Sequence, residues 1–190
     1  MRSAGCCVND FADYQIDGMV KRTEKRPLAR GELSRKDAFL CFLFLSAIAF
    51  LLVLLTNQRT ILLSFGAIAL VATYPFMKRF TNLPQLVLGI AYSWGILMAF
   101  TAQTNGIPQP AHLLFIANCL WTVAYDTQYA MVDREFDLQI GVKSTAILFG
   151  DADKLMIGVL QFMFVMAMWL AGHQLEMMNW YYFSLLLASL

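Results

Sequence analysis

The sequence predicts an all-α fold, a polytopic transmembrane helical bundle, and three observations carry that prediction. Hydrophobic residues make up 59% of the 190 residues and charged ones only 14%, against about 25% charged in an average soluble domain. The apolar residues gather into stretches long enough to cross a bilayer, which takes about 17–25 residues. The basic residues fall almost entirely in alternate loops, the asymmetry that marks the cytoplasmic side of a membrane protein.

Five stretches read as complete spans: 39–55, 61–77, 84–102, 111–132 and 155–172. A sixth begins near Asn179 and reaches the last residue, and residues 1–8 read as the end of another. Both ends of the chain are thus expected to lie inside helices, as in a piece of a longer protein. Helices rather than strands follow because a helix in lipid satisfies its own backbone hydrogen bonds, whereas strands need a closed barrel. Barrel strands also alternate in polarity over about 10 residues, while 39–55 holds a single polar residue, Ser46. No Gly/Ser linker divides the chain, so residues 1–190 read as one domain.

Orientation follows from the loops. Lys21, Arg22, Lys25, Arg26, Arg30, Arg35 and Lys36 lie before the first complete span. Lys78 and Arg79 lie between the second and third, and Arg134, Lys143 and Lys154 after the fourth. If each span crosses once, these loops share one side, and every Lys and Arg except Arg2 and Arg59 lies in them. The positive-inside rule makes that side cytoplasmic. The surrounding partner is membrane lipid. A net charge of +1 gives no reason to expect nucleic acid.

Two acidic constellations sit at cytoplasmic helix ends. Asn9, Asp13 and Asp17 are spaced i, i+4, i+8, and Asp126, Asp133 and Asp137 are spaced i, i+7, i+11. Either spacing places its residues on one helical face. Stacked carboxylates repel one another, and Asp126 lies inside a span, where a charge costs about 2.5–3.5 kcal/mol at the centre. A hard divalent cation offsets both costs. Mg²⁺ usually takes one or two carboxylates and completes its shell with water and substrate phosphates. Two acidic faces with a diphosphate held between them through Mg²⁺ are therefore expected. Solvated helix ends with incidental acids are the plainer reading, and it does not explain two such ends on one side.

Tyr74, Lys78 and Arg79 end a span on that same side. Lys78 and Arg79 are candidates for diphosphate oxygens or for a substrate carboxylate, which the planar fork of Arg suits; ordinary basic anchoring fits them equally. Arg22 and Arg26 in the long first loop read as surface charge when taken alone. His112 and His173 lie at the opposite ends of spans and read as structural. Cys6, Cys7, Cys41 and Cys119 show no zinc-site spacing. No Ser-His-Asp or Cys-His arrangement presents itself.

These stretches resemble the UbiA superfamily of membrane prenyltransferases. Residues 9–17 fit that family's N-D-x-x-D-x-x-x-D pattern, Asp126, Asp133 and Asp137 its D-x-x-x-x-x-x-D-x-x-x-D, and Tyr74 with Lys78 its Y-x-x-x-K. The runs 22–28, 74–79, 125–134 and 143–150 resemble most closely the branch that acts on 4-hydroxybenzoate. Glu135-Phe136 stands where that pattern is more acidic. The resemblance implies a nine-helix bundle of which this chain is the central part. It implies Mg²⁺ at Asn9, Asp13, Asp17, Asp126, Asp133 and Asp137, a polyprenyl diphosphate donor and a 4-hydroxybenzoate acceptor on the way to ubiquinone. Asp133, Asp126, Lys78, Arg79 and Tyr74 would then serve catalysis. Arg79, Lys78, Arg22, Arg26 and Tyr129 would bind substrate. The alternatives are another acceptor, such as a haem, chlorophyll or menaquinone precursor, and an ion-coupled transporter, since buried acids also line ion paths.

Overall fold

A computed structural model describes residues 1–18 and 23–189. The described chain is helical and contains no strand. Its helices are α1 (Arg2–Asp17), α2 (Arg35–Val53), α3 (Gln58–Met77), α4 (Pro84–Thr104), α5 (Gln109–Ile140), α6 (Thr145–Phe149), α7 (Asp153–Gln174) and α8 (Asn179–Ala188), with a 3-10 turn over Gly150–Ala152. They pack in a winding arc: α2 on α1, α1 on α3, α3 on α4, α4 on α5, α5 on α7 and α7 on α8.

Local chemistry sets the ends. Ser34 and Asp37 form a reciprocal capping box that starts α2. Asn57 accepts from the Thr60 amide to start α3, and its own amide donates to the Thr101 carbonyl at the far end of α4, 2.6 Å away. Pro84 opens α4, where its missing N–H costs nothing. Gly141 closes α5 at φ 73°, a left-handed conformation that glycine adopts without steric cost.

Four stretches, α2, α3, α4 and Thr145–Gln174, are long and apolar enough to cross a membrane. The sequence reading placed a fifth over 111–132. It falls within α5, whose polar positions, Asn118, Thr122, Asp126 and Gln128 among them, lower its apolar content. At about 1.5 Å per residue, the 32 residues of α5 extend well past a hydrocarbon layer of about 30 Å. The helix therefore carries its last acidic turns beyond the apolar layer.

Contacts between loops confirm the alternation. Arg79 at the end of α3 reaches the Ala12 carbonyl of α1, and the Lys143 amide reaches the Lys78 carbonyl. Arg134 of α5 pairs with Asp153 at the start of α7. At the opposite end, Arg59 donates to the Asn105 carbonyl. The basic loops thus share one end of the bundle.

Small residues set the helix spacing. A Cβ at Gly89 of α4 would stand 2.9 Å from the Cys119 sulfur and 3.0 Å from the Cys119 carbonyl oxygen of α5. The carbonyl belongs to a helix and cannot rotate away. Gly89→Ala is expected to destabilise the protein by about 1–3 kcal/mol, the cost of overpacking, read as a lower thermal midpoint in detergent. An unchanged midpoint would mean that α4 and α5 can separate freely.

Candidate functional site

At the end of the bundle where the basic loops meet, a cavity of 370 Å³ opens between α1, α3, α4 and α5. Asn9 and Arg26 line it from one side, Tyr74, Pro75 and Lys78 from α3, and Asp126, Tyr129, Asp133 and Asp137 from α5. Asp126, Asp133 and Asp137, spaced along one face of α5, all line this cavity. Pro75 has no N–H to give the Val71 carbonyl, so α3 runs on to Met77 with one hydrogen bond missing where it meets the cavity.

The first acidic motif is divided. Asn9 lines the cavity and accepts a hydrogen bond from the Tyr74 hydroxyl at 3.3 Å. Asp13 and Asp17 are buried and do not line it. The Asp13 carboxylate is paired with Lys78 at 2.5 Å. Arg26 bridges Asp10 and Asp17, 2.9 Å from each, and the Thr23 hydroxyl donates to the Asp17 carbonyl. The long first loop is thereby latched onto α1. Desolvated carboxylates need such partners, because a buried charge left alone is costly.

Arg79, expected at a substrate carboxylate, does not line the cavity. Its guanidinium donates to the Ala12 carbonyl at 2.7 Å and lies 5.6 Å from the Phe76 ring centre. Here it ties α3 to α1. Arg22 lies outside the described residues.

Four polar lining residues went unremarked as site residues: Gln85, Tyr92, Lys143 and Ser144. Lys143 and Ser144 belong to the run 143–150, which carried the family resemblance without an assigned role. Gln85 and Tyr92 gave no signal beyond being polar groups within an apolar stretch. The structure explains Gln85. Its Oε1 accepts from the buried Thr145 amide at 3.0 Å, and the Thr145 and Thr127 hydroxyls share a hydrogen bond of 2.6 Å. This network fixes the segment after α5 against α4 and α5.

Among the described residues, no three His, Cys, Asp or Glu side chains converge as a ready metal cage. Mg²⁺ does not require one, since it commonly keeps one or two carboxylates and borrows oxygens from phosphate and water. The donor set fits such an open site. Carboxylates from α5 face Asn9 across the cavity, and the buried Oδ1 of Asp13 has no hydrogen-bond partner among the described residues.

A second cavity, of 250 Å³, shares Tyr74, Leu88 and Tyr92 with the first and runs on between α1, α3 and α4 past Val71, Trp94 and Met98. Its walls are mostly apolar. The pair has a polar head at the loop end and a greasy tail toward the bundle interior.

What the fold and this site define first is a class: an integral membrane helical bundle with a charged cavity at one end. A family model described as the UbiA prenyltransferase family matches residues 1–190. The 4-hydroxybenzoate octaprenyltransferases of Pseudomonas fluorescens (strain SBW25) and Pseudomonas aeruginosa (strain UCBPP-PA14) are each 58% identical to the chain, over 99% and 100% of its length. The chain spans 64% of the length of these relatives. The apo structure of a UbiA homolog from Aeropyrum pernix K1 superposes with a TM-score of 0.86 at 29% identity, covering 99% of this chain and 72% of that one. A structure of digeranylgeranylglyceryl phosphate synthase, 20% identical, shares the fold with a TM-score of 0.72, over 98% of this chain and 66% of that one. The chain belongs to the UbiA prenyltransferase family.

Proposed function

We propose that the protein transfers a polyprenyl group from polyprenyl diphosphate to 4-hydroxybenzoate, at the ring carbon ortho to the hydroxyl, as a step of ubiquinone biosynthesis. The observation that carries this reading is the pair of neighbouring cavities, one polar and one apolar, that share Tyr74, Leu88 and Tyr92. A polyprenyl diphosphate has a polyanionic head and a long apolar tail, and the two cavities offer the matching halves on either side of Tyr74, Leu88 and Tyr92, which line both. Identity to relatives named for 4-hydroxybenzoate supports the choice of acceptor.

Asn9, Asp126, Asp133 and Asp137 are the residues that would hold Mg²⁺, with Asp13 and Asp17 behind them once their cationic partners turn to substrate. The metal supplies Lewis-acid neutralisation of the charge that builds on the diphosphate oxygens. Lys78 adds a point charge to the departing diphosphate, and Tyr74 orients Asn9. The allylic C–O bond breaks, the ring carbon forms the new C–C bond, and the ring proton leaves to base. Asp133 is the assigned residue that orients the phenol hydroxyl or takes its proton. The apolar walls of the second cavity keep water from the allylic cation. The acidic motifs face the cytoplasm of a bacterial inner membrane, the side to which the positive-inside rule assigns the basic loops.

The test is transfer from geranyl diphosphate to 4-hydroxybenzoate in membranes carrying the protein. A prenylated product that vanishes with EDTA and returns with added Mg²⁺ is expected. Folded, inserted protein that consumes the donor only with a different phenol would overturn the acceptor. Product formation that survives EDTA would overturn the metal.

A further inference from the structure

The segment between α5 and α6 is held with unusual care for a loop. The Gly141 and Val142 amides both donate to the Asp137 carbonyl, and the Lys143 amide donates to the Lys78 carbonyl at 2.9 Å. The Ser144 hydroxyl accepts from the Ile147 amide, and the Thr145 amide donates to the buried Gln85. Such bracing places Lys143 at the cavity wall, next to Lys78. Sites held by locked neighbours of this kind are pre-organised for a ligand.

Among the described residues, the three cations lining the cavity are not equivalent. Lys78 is spent on Asp13, and Arg26 on Asp10 and Asp17. Lys143 makes no ion pair among the described residues. Among the described residues its ammonium reaches the Phe80 carbonyl alone, at 3.3 Å, longer than the usual distance of about 2.9–3.0 Å. A weakly engaged ammonium on a fixed stretch of backbone at a cavity wall is a place for an anion. Lysine offers a compact point charge of the kind that commonly binds phosphate.

We propose that Lys143 binds the terminal phosphate of the donor's diphosphate and stabilises it as it leaves. The phosphate oxygens would lie between Lys143 and Lys78, which the Lys143 amide keeps adjacent. This deepens the prenyltransferase reading and rests on it for the identity of the donor. It assigns the run 143–150 a role that the two acidic motifs do not fill.

The variant is Lys143→Gln, whose amide can still donate to the Phe80 carbonyl but carries no charge. The probe is inorganic diphosphate with Mg²⁺, titrated calorimetrically into the detergent-solubilised protein without acceptor. Lys143→Gln is expected to weaken its affinity about tenfold or more, the worth of a charged hydrogen bond, and to raise the donor KM in parallel. The acceptor KM and the thermal midpoint should stay unchanged. Lys143→Arg should restore much of the affinity, and Lys154→Met, on an exposed residue of the same end, should have no effect. Unchanged diphosphate affinity overturns the assignment. A rise confined to the acceptor KM gives Lys143 to the carboxylate instead, and a lowered thermal midpoint gives it to the scaffold. Because the titration contains no acceptor, wild-type protein that binds diphosphate but uses another phenol would overturn the acceptor and leave Lys143 in place.

Discussion

Asp133→Asn is expected to lower prenyl transfer by at least about 100-fold, the low end of what a positioned acid or base contributes, while insertion and the thermal midpoint hold. The residue stands on the cavity face of α5 with Asp126 and Asp137, one helical turn from the latter. Asparagine matches aspartate in size and removes the charge and the proton acceptor together. Glu135, exposed on the same turn and absent from the cavity, is the internal control. Glu135→Gln should transfer within about twofold of wild type, as surface changes away from special features usually do. Product formation at saturating donor and acceptor separates the two. Near-wild-type turnover by Asp133→Asn would remove it from the chemistry and move the base to Asp126 or Asp137.

That contrast is legible in the sequence, because helical phase is a local property. The interval between Asp126, Asp133 and Asp137 fixes a face whatever the helix packs against. The span boundaries were legible for the same reason: 61–77 and 84–102 differ from α3 and α4 only at their ends. The length of α5 was not. Its apolar run stops near Val132, but the helix continues to Ile140, and Arg134 in that extension pairs with Asp153 at the start of α7.

What stayed hidden is long-range. Lys78 meets Asp13 across 65 positions and Arg79 meets the Ala12 carbonyl across 67. Nothing in the pattern 74–79 distinguishes the two neighbouring cations, yet one faces the cavity and the other fastens α1. Likewise Asn9, Asp13 and Asp17 share a face by spacing, and only the tertiary ion pairs draw the two aspartates away from the cavity. Gln85 was invisible because its partner, the Thr145 amide, lies 60 positions on.

Lys78→Met carries the second large effect, and it divides into two parts that a double variant separates. The Lys78–Asp13 pair bridges α3 and α1, with side-chain exposures of 22% and 6%. Removing the lysine leaves a buried carboxylate whose other oxygen already lacks a partner. Breaking a buried pair this way costs about 3–5 kcal/mol, and the partial exposure of Lys78 puts the expected loss near the lower figure. The thermal midpoint in detergent should fall accordingly, and transfer should fall with it. Adding Asp13→Asn removes the stranded charge and should return most of the midpoint. Transfer should not return, because Lys78 lines the cavity and its charge acts on the diphosphate, while Asp13 acts in this state as its holder. Recovery of both together would make the pair purely a strut between α1 and α3. Recovery of neither would mean that Asp13 has work of its own beyond holding Lys78, as a carboxylate with one buried, unpartnered oxygen would if it turned toward a bound metal.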